Sequence, residues 1–369
     1  MPLPPLVEPV AALTDAERER TARHAALAGF GELAQRRLAA AHVAVVGAGG
    51  LGSAVVLALA AAGIGTLTVI DDDDVDASNL QRQVMHRRSD IGSPKTDSAA
   101  RVAADLSDTV VVPVARRLTR ENAAELLSGA DVVIDGSDLF ATRAAVAAGA
   151  EALGIPLVWG TVQEFDAQVT VFWNRPPEGV APVVLADLYP ADTVGALPTC
   201  AEVGVLGALC VQVGGMLALE AIKLVAGVGE PLLGRIMLVN ALRGRQTEVT
   251  LRSAARMRHP VGMTDDLPHD AAPAAPAQLT AAEMLAAQDA GATLLDVREP
   301  WETDRGIVAD SLLIPLGTLL ADPGQVDAER VVVICEHGLR AARAAEALAA
   351  CGVAADVLAG GLAAWRNGA

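Results

Sequence analysis

Residues Val43 to Ser53 read V-A-V-V-G-A-G-G-L-G-S, an apolar run that breaks into glycines and then into an apolar helical segment. The order this dictates is a strand over His42 to Gly47, a tight turn, and a helix over Leu51 to Ala62. Gly47 permits the turn, Gly49 and Gly50 let a phosphate approach the N–H groups at the helix start, and Gly52 lets the helix lie close to the sheet. Leu67 to Ile70 is a second strand. It ends at Asp71, 19 residues after Gly52, where a carboxylate can accept hydrogen bonds from ribose hydroxyls. Val110 to Val112, Val132 to Ile134 and Leu157 to Trp159 are further strand candidates, alternating with Ala-rich helical segments. The alternation predicts an α/β fold with a Rossmann-like, doubly wound parallel sheet.

Outward from this core, the first ~40 residues read as helical, with Arg-rich polar faces between Thr14 and Leu38. Between Ser253 and Ala277 the pattern dissolves into a Pro- and Ala-rich stretch, which reads as a stiff, extended linker. The alternation then restarts. Thr280 with Glu283 forms a capping box that opens a helix to Ala290. Thr293 to Val297 and Val331 to Ile334 read as strands, and Arg340 to Ala350 as a helix. The expected domains are therefore 1–252, a linker over 253–278, and a smaller α/β domain over 279–369.

The 369 residues carry a formal charge of −17, and this acidity argues against nucleic acid as a partner. Met1 to Val10 lacks the features of a signal peptide. The longest apolar stretch, Val203 to Leu219, is short against the ~20 residues of a bilayer span and runs into Glu220 and Lys223. It reads as a buried helix, so a cytoplasmic protein without a membrane partner is expected. The four cysteines are Cys200, Cys210, Cys335 and Cys351, with no C-x-x-C among them, so neither zinc nor a disulfide framework is signalled. Cys210 and Cys351 read as packing residues.

The glycine turn alone does not separate a nicotinamide dehydrogenase from an ATP enzyme. The cations do. A-S-N-L-Q-R-Q, Ala77 to Gln83, supplies Arg82, and G-S-P-K, Gly92 to Lys95, supplies Lys95. Lys95 and Lys223 are the chain's two lysines against 26 arginines, so a retained Lys points to a need for a compact ammonium. ATP carries about four negative charges, which calls for discrete cations and Mg²⁺ where a dinucleotide's pyrophosphate is served by backbone donors. D-V-V-I-D-G-S-D, Asp131 to Asp138, offers Asp138 for the metal at a strand's C-terminal end.

These motifs, with P-T-C-A-E-V-G-V-L-G (Pro198 to Gly207) and R-H-A-A-L-A-G-F-G (Arg23 to Gly31), resemble the MoeB/ThiF family, bacterial relatives of ubiquitin-activating enzymes. The resemblance covers roughly residues 15 to 250. It implies ATP-dependent adenylation of the C-terminal glycine of a ubiquitin-like sulfur carrier of the MoaD/ThiS type, which ends in Gly-Gly. It also implies that Asp71 holds the ribose, that Asn79, Arg82 and Lys95 hold the phosphates, and that Asp138 binds Mg²⁺ and matters most for catalysis. Arg23 would reach the ATP of a neighbouring subunit, so a homodimer is implied. Two departures stand out. The stretches where relatives carry zinc-binding C-x-x-C pairs read P-V-V-L-A-D, Pro182 to Asp187, and H-P-V-G-M-T, His259 to Thr264, so no zinc is expected. Leu139 stands where an Asn commonly follows the metal-binding Asp, with Arg143 nearby.

In the smaller domain, Val331 to Ile334 runs into C-E-H-G-L-R, Cys335 to Arg340, ahead of an Ala-rich helix. A loop of Glu336, His337, Gly338, Leu339 and Arg340 curling at a helix N-terminus stabilises a thiolate or an anionic persulfide, and Arg340 adds a positive charge. With D-V-R-E-P-W-E (Asp296 to Glu302) and A-G-G-L-A-A-W (Ala359 to Trp365), this domain resembles rhodanese sulfurtransferases, although the usual G-H-I-P-G-A segment reads G-I-V-A-D-S, Gly306 to Ser311. The two resemblances imply a sequence of steps. The carrier is adenylated, a Cys335 persulfide loaded by a donor such as a cysteine desulfurase attacks the acyl-adenylate, and Cys200 releases a thiocarboxylate. Molybdopterin, thiamine, cysteine and tRNA thiolation pathways all use such carriers. The rival readings are an NAD-dependent oxidoreductase, which leaves Arg82, Lys95 and Cys335 idle, and a non-catalytic module that binds a ubiquitin-like protein, supported by Leu139 and the missing zinc ligands.

Overall fold

A computed structural model describes residues 3–189, 204–252 and 276–366, except 327, 329 and 337. It divides into two compact units, Met1–Val261 and Gly262–Ala369. In the first unit the strands are β1 (His42–Val46), β2 (Thr66–Ile70), β3 (Val110–Val114), β4 (Val132–Asp135), β5 (Leu157–Gln163), β6 (Asp166–Phe172), β7 (Arg235–Asn240) and β8 (Arg245–Thr250). They form one sheet in the order β3-β2-β1-β4-β5-β6-β7-β8. β3 to β5 in that order pair in parallel, as the alternation predicts. The chain reverses its direction of travel across the sheet between β1 and β4, and a crevice opens there beyond the strands' C-terminal ends.

The sheet's other arm was not legible. β6, β7 and β8 add antiparallel to β5. The turn between β5 and β6 holds no Gly; Glu164 takes the left-handed conformation at φ 52°. Every residue of β8 is exposed, so its sequence carries no inward-facing alternation. The N-terminus also departs from expectation. Helices run over Asp15–Arg20, Ala22–Ala25 and Gly31–Ala40, but the described residues before Thr14 are irregular. Pro4, Pro5 and Pro9 remove the amide donors a helix there would need.

The helix Gly207–Ala226 is long and apolar enough to cross a membrane by length and composition. Here it is a core element. Its Leu209, Val213, Leu217 and Leu224 share one buried cluster with Leu51, Val55 and Leu59 of the helix Gly50–Ala62. Each such side chain contributes about 1.5–3 kcal/mol on burial. The two helices meet at Gly214, where an added Cβ would lie 2.6 Å from the Ala54 Cβ.

The second unit is a parallel sheet of β9 (Gln278–Leu279), β10 (Thr293–Asp296), β11 (Leu312–Leu313), β12 (Arg330–Ile334) and β13 (Ala354–Leu358), ordered β11-β10-β12-β13-β9. β9 begins inside the span assigned to the linker, whose residues 253–275 lie outside the described ones. The capping box forms as predicted: the Glu283 carboxylate accepts from the Thr280 N–H at 2.8 Å, and the Thr280 hydroxyl accepts from the Glu283 N–H at 3.3 Å. Cys351 is exposed at the end of the helix Leu339–Ala350, so it is not the packing residue expected, because the helix terminus there faces solvent.

Candidate active sites

The crevice of the first unit is a cleft of about 440 Å³. It brings together Gly47, Gly49, Gly50, Asp71, Asn79, Arg82, Lys95 and Asp138, drawn from five separate segments. Gly47, at φ 88°, turns the chain out of β1 into a conformation that favours glycine. Gly52 works from beneath rather than lining the cleft: a Cβ on it would fall 1.8 Å from the Gly47 carbonyl oxygen. Arg23 is exposed and outside the cleft of its own chain, and Cys200 lies outside the described residues.

Asp71 is pinned at the end of β2. Its Oδ2 accepts from the Ala48 N–H at 2.6 Å and its Oδ1 from the Asp73 N–H at 2.9 Å. Burial pushes its carboxyl up, while Lys95 and these N–H groups pull it back. Lys95 is itself buried, with Nζ donating to Asp73 Oδ2 at 2.7 Å and lying 3.8 Å from Asp71 Oδ1. The ammonium is thus held in an acidic nest that polyphosphate would have to compete with. Arg82 donates to the Ser78 carbonyl at 3.2 Å, and Asn79 Oδ1 accepts from the Asp76 N–H at 3.1 Å, which shapes the turn carrying both residues.

Asp138 is held differently. Its carboxylate is exposed in the cleft and has no hydrogen bond or ion pair among the described residues. The loop bearing it is braced from behind. Asp135, wholly buried at the end of β4, accepts from the Ser137 N–H at 2.9 Å and from its hydroxyl at 2.6 Å. Arg143 lies over the Trp159 ring at 5.7 Å and donates to the Ser137 carbonyl through Nε and Nη2, both at 3.2 Å. Arg143 is therefore a brace on the loop, not a free phosphate ligand. Burial pushes the Asp135 carboxyl up, against Arg143 and Ser137.

Four residues were given no site role from the sequence. His86 hydrogen-bonds the Ala48 carbonyl through Nε2 at 3.1 Å, and burial pushes its imidazole down, so the neutral ring supports the glycine turn. Arg117 enters the cleft rim and pairs with Asp72 at 2.8 Å. Cys210, expected only to pack, also lines the cleft; a Cβ on Gly50 would lie 2.9 Å from its Sγ. Gln83 lines the cleft as well and is 4% exposed. It ends the A-S-N-L-Q-R-Q motif, which was the available signal.

In the second unit Cys335 sits at the C-terminal end of the central strand β12, buried, with Sγ accepting from the Gly338 N–H at 3.1 Å and the Ala341 N–H at 3.4 Å. Gly338, at φ 89°, makes the curl. His337 lies outside the described residues. Arg340 does not offer the free charge expected of it. Its Nη1 and Nη2 both bond the Glu302 carboxylate at 2.6 Å. Burial pulls the Glu302 carboxyl up, but this fork and the Glu299 N–H outweigh it and hold it below the usual range. Beneath the loop, fully buried Arg298 grips Asp296 at 2.7 Å and reaches Glu336 at 3.5 Å. Arg366 bonds Glu336 from the other side at 2.6 Å. Asp296, Arg298 and Glu302 lie in the D-V-R-E-P-W-E motif, but their pairing was not readable from it.

Residues 21–261 match the model of the ThiF family. The chain belongs to the ThiF family. Its residues 280–368 match the rhodanese-like domain. The ThiF-family chain is 39% identical, over 99% of its length and 97% of the relative's, to a probable adenylyltransferase/sulfurtransferase MoeZ of Mycobacterium tuberculosis. It is 42% identical, over 66% of its length and 90% of the relative's, to a sulfur carrier protein adenylyltransferase of Thermus thermophilus. A crystal structure of E. coli MccB with succinimide shares the fold of the ThiF unit, with TM-score 0.55 at 19% identity over 66% of this chain and 73% of that one. The protein is an enzyme of the adenylyltransferase and sulfurtransferase class.

Proposed function

We infer that the first unit adenylates the C-terminal glycine of a ubiquitin-like sulfur-carrier protein with ATP, and that Cys335 of the second unit delivers sulfur to the activated carboxyl. The observation that carries the reading is a single cleft where a glycine turn, pinned Asp71, the cations Arg82 and Lys95, and partner-free Asp138 converge. Asp71 would orient the ribose; Arg82, Asn79 and Lys95 would hold the phosphates. Mg²⁺ fits Asp138, since one unpaired carboxylate beside phosphate oxygens suits a hard cation that keeps most of its waters. When bound, it neutralises charge on the departing pyrophosphate. Attack of a carboxylate on the α-phosphorus needs alignment and charge neutralisation more than proton transfer.

The carrier's acyl-adenylate then meets a persulfide on Cys335. Its terminal sulfur forms a bond to the acyl carbon, AMP leaves, and an acyl disulfide remains. A thiolate, Cys200 in this reading, attacks the sulfur that stays on Cys335 and frees the thiocarboxylate. The two cysteines are left as a disulfide, which a cellular thiol reduces. The N–H groups of Gly338 and Ala341 suit an anionic sulfur in the loop. A protein donor such as a cysteine desulfurase would load it. Exposed Arg23, outside its own cleft, supports a homodimer in which it serves the partner's nucleotide.

Carrier-dependent exchange of labelled pyrophosphate into ATP separates the two halves. Asp138→Ala should lower exchange roughly a hundredfold or more. Cys335→Ala should keep exchange and abolish thiocarboxylate. Exchange that survives Asp138→Ala, or disappears with Cys335→Ala, would overturn this division.

A further inference from the structure

The charges around the Cys335 loop cancel. Arg298, Arg340 and Arg366 are matched by Asp296, Glu302 and Glu336, three cations against three carboxylates. Arg340 is the cation nearest the chemistry. It is the second residue of the helix Leu339–Ala350, beside Ala341, whose N–H donates to the Cys335 Sγ. Its guanidinium also feels the thiol: Glu302 above all, and Cys335 to a smaller extent, push its pKa further up against the effect of burial. Yet both its terminal nitrogens are spent on the Glu302 carboxylate, each at 2.6 Å, and the Glu299 N–H fixes Glu302 Oε2 at 2.8 Å. A two-bond charged fork is rigid and among the stronger polar contacts, so an incoming anion must break it to reach the guanidinium.

Sulfur donors differ in the charge they bring. Thiosulfate is a dianion, and a thiolate that attacks its outer sulfur meets a repulsion that an unpaired cation would offset. A persulfide, R–S–SH, offers the same kind of sulfur with one charge or none. We propose that Glu302 is a specificity-determining residue: by holding Arg340 it sets Cys335 to take sulfur from persulfides and to refuse dianionic donors of the thiosulfate class. The proposal rests on Cys335 being the sulfur-carrying thiol. In the favoured step the Cys335 thiolate attacks the outer sulfur of R–S–SH. A new S–S bond forms, the old one breaks, R–S⁻ leaves, and the proton stays on the transferred sulfur. The same attack on thiosulfate would expel sulfite and leave Cys335 as an anionic persulfide. Neither step needs an oxidant or a reductant. The N–H groups of Gly338 and Ala341 serve the single charge of the product, and no further cation is called for.

The test loads the full chain from thiosulfate or from cysteine persulfide and follows the persulfide on Cys335 by mass spectrometry. The parent should load from cysteine persulfide, and roughly tenfold or more slowly from thiosulfate. Glu302→Gln leaves Arg340 without a charged partner. It should raise the thiosulfate rate roughly tenfold, a gain that salt screens, with the cysteine persulfide rate little changed. Glu302→Asp keeps the carboxylate and should stay near the parent. Glu336→Gln removes a second carboxylate without touching the fork and should give a smaller gain of the same sign. A parent that loads equally from both donors overturns the proposal, as does a thiosulfate rate unchanged in Glu302→Gln and Glu336→Gln alike. A gain shared equally by cysteine persulfide or by Glu302→Asp also overturns it, because the loop would then merely have opened. A parent that loads from neither donor would instead remove Cys335 as the sulfur carrier, and the proposal with it.

Discussion

The nucleotide cleft and the Cys335 loop are both built at the C-terminal ends of parallel strands beside a helix N-terminus; both pair cations with carboxylates, but only the cleft leaves a carboxylate unpaired among the described residues. That carboxylate is Asp138. Around Cys335 every cation discussed is already matched: Arg298 with Asp296, Arg340 with Glu302, Arg366 with Glu336. The difference follows the cargo. In the proposed reaction a polyphosphate comes with Mg²⁺, whose charge the free Asp138 carboxylate can meet, whereas the cleft's Lys95 is already paired with Asp73 and has to be won from it. A persulfide brings a single charge to a loop that backbone N–H groups already serve, and the ion pairs there set the loop's shape instead.

If that contrast holds, breaking a pair in the second unit should cost stability. The largest effect is expected at Arg298→Met, which leaves the Asp296 carboxylate wholly buried without its cation, held only by the backbone N–H of residue 298. Loss of one partner of a buried pair costs about 3–5 kcal/mol. Hydrogen exchange in the full chain should show β10 and β12 losing protection while β1 and β4 keep theirs. Retained protection in β10 would show the pair to be dispensable and weaken the contrast.

Glu302→Gln should cost less, about 1–2 kcal/mol at neutral pH, since a charge-assisted fork is reduced to neutral bonds. The pH dependence has a fixed sign. The Glu302 carboxyl is held below its usual 4.5 in the folded protein, so its contribution is complete above that value and is lost as pH falls through the folded-state pKa. The difference between parent and variant, read by exchange in β12 and the helix Leu339–Ala350, should therefore be full at pH 7 and shrink under acid. A gap that widens on acidification would mean the fork is not the source.

The same contrast explains what could be read in advance. β1, β2 and β4 and the glycine turn were legible because apolar runs and glycines act within a few residues. The cleft's charged set was legible because A-S-N-L-Q-R-Q, G-S-P-K and D-G-S-D are contiguous motifs. What remained hidden depends on distance in the chain. Arg340 is matched to Glu302, 38 positions earlier, and this pairing removed the free cation that the loop alone suggested. Asp135 lay in a quoted motif, but its work, holding Ser137 and so the Asp138 loop, requires knowing that it is wholly buried. β8 was invisible because all its side chains face water.

The smallest effect is expected in the cleft, at the departure from the family pattern. Leu139 is 46% exposed, lines the cleft, and occupies the N-cap of the helix Phe140–Leu153 in an extended conformation without giving a side-chain cap. Asn prefers this position because its oxygen accepts from an N–H of the first turn, and such a cap is worth about 1 kcal/mol. Leu139→Asn should therefore raise the melting temperature modestly, in contrast to the losses predicted around Cys335. Its effect on ATP affinity decides what the uncapped turn is for. If the cleft keeps those N–H groups in reserve as it does the Asp138 carboxylate, the new cap competes with the nucleotide, and affinity should stay level or fall a few-fold despite the gain in stability. A clear rise in affinity would show instead that the Asn amide contacts the phosphates, and that Leu139 is a deficit in this chain rather than part of its reserve.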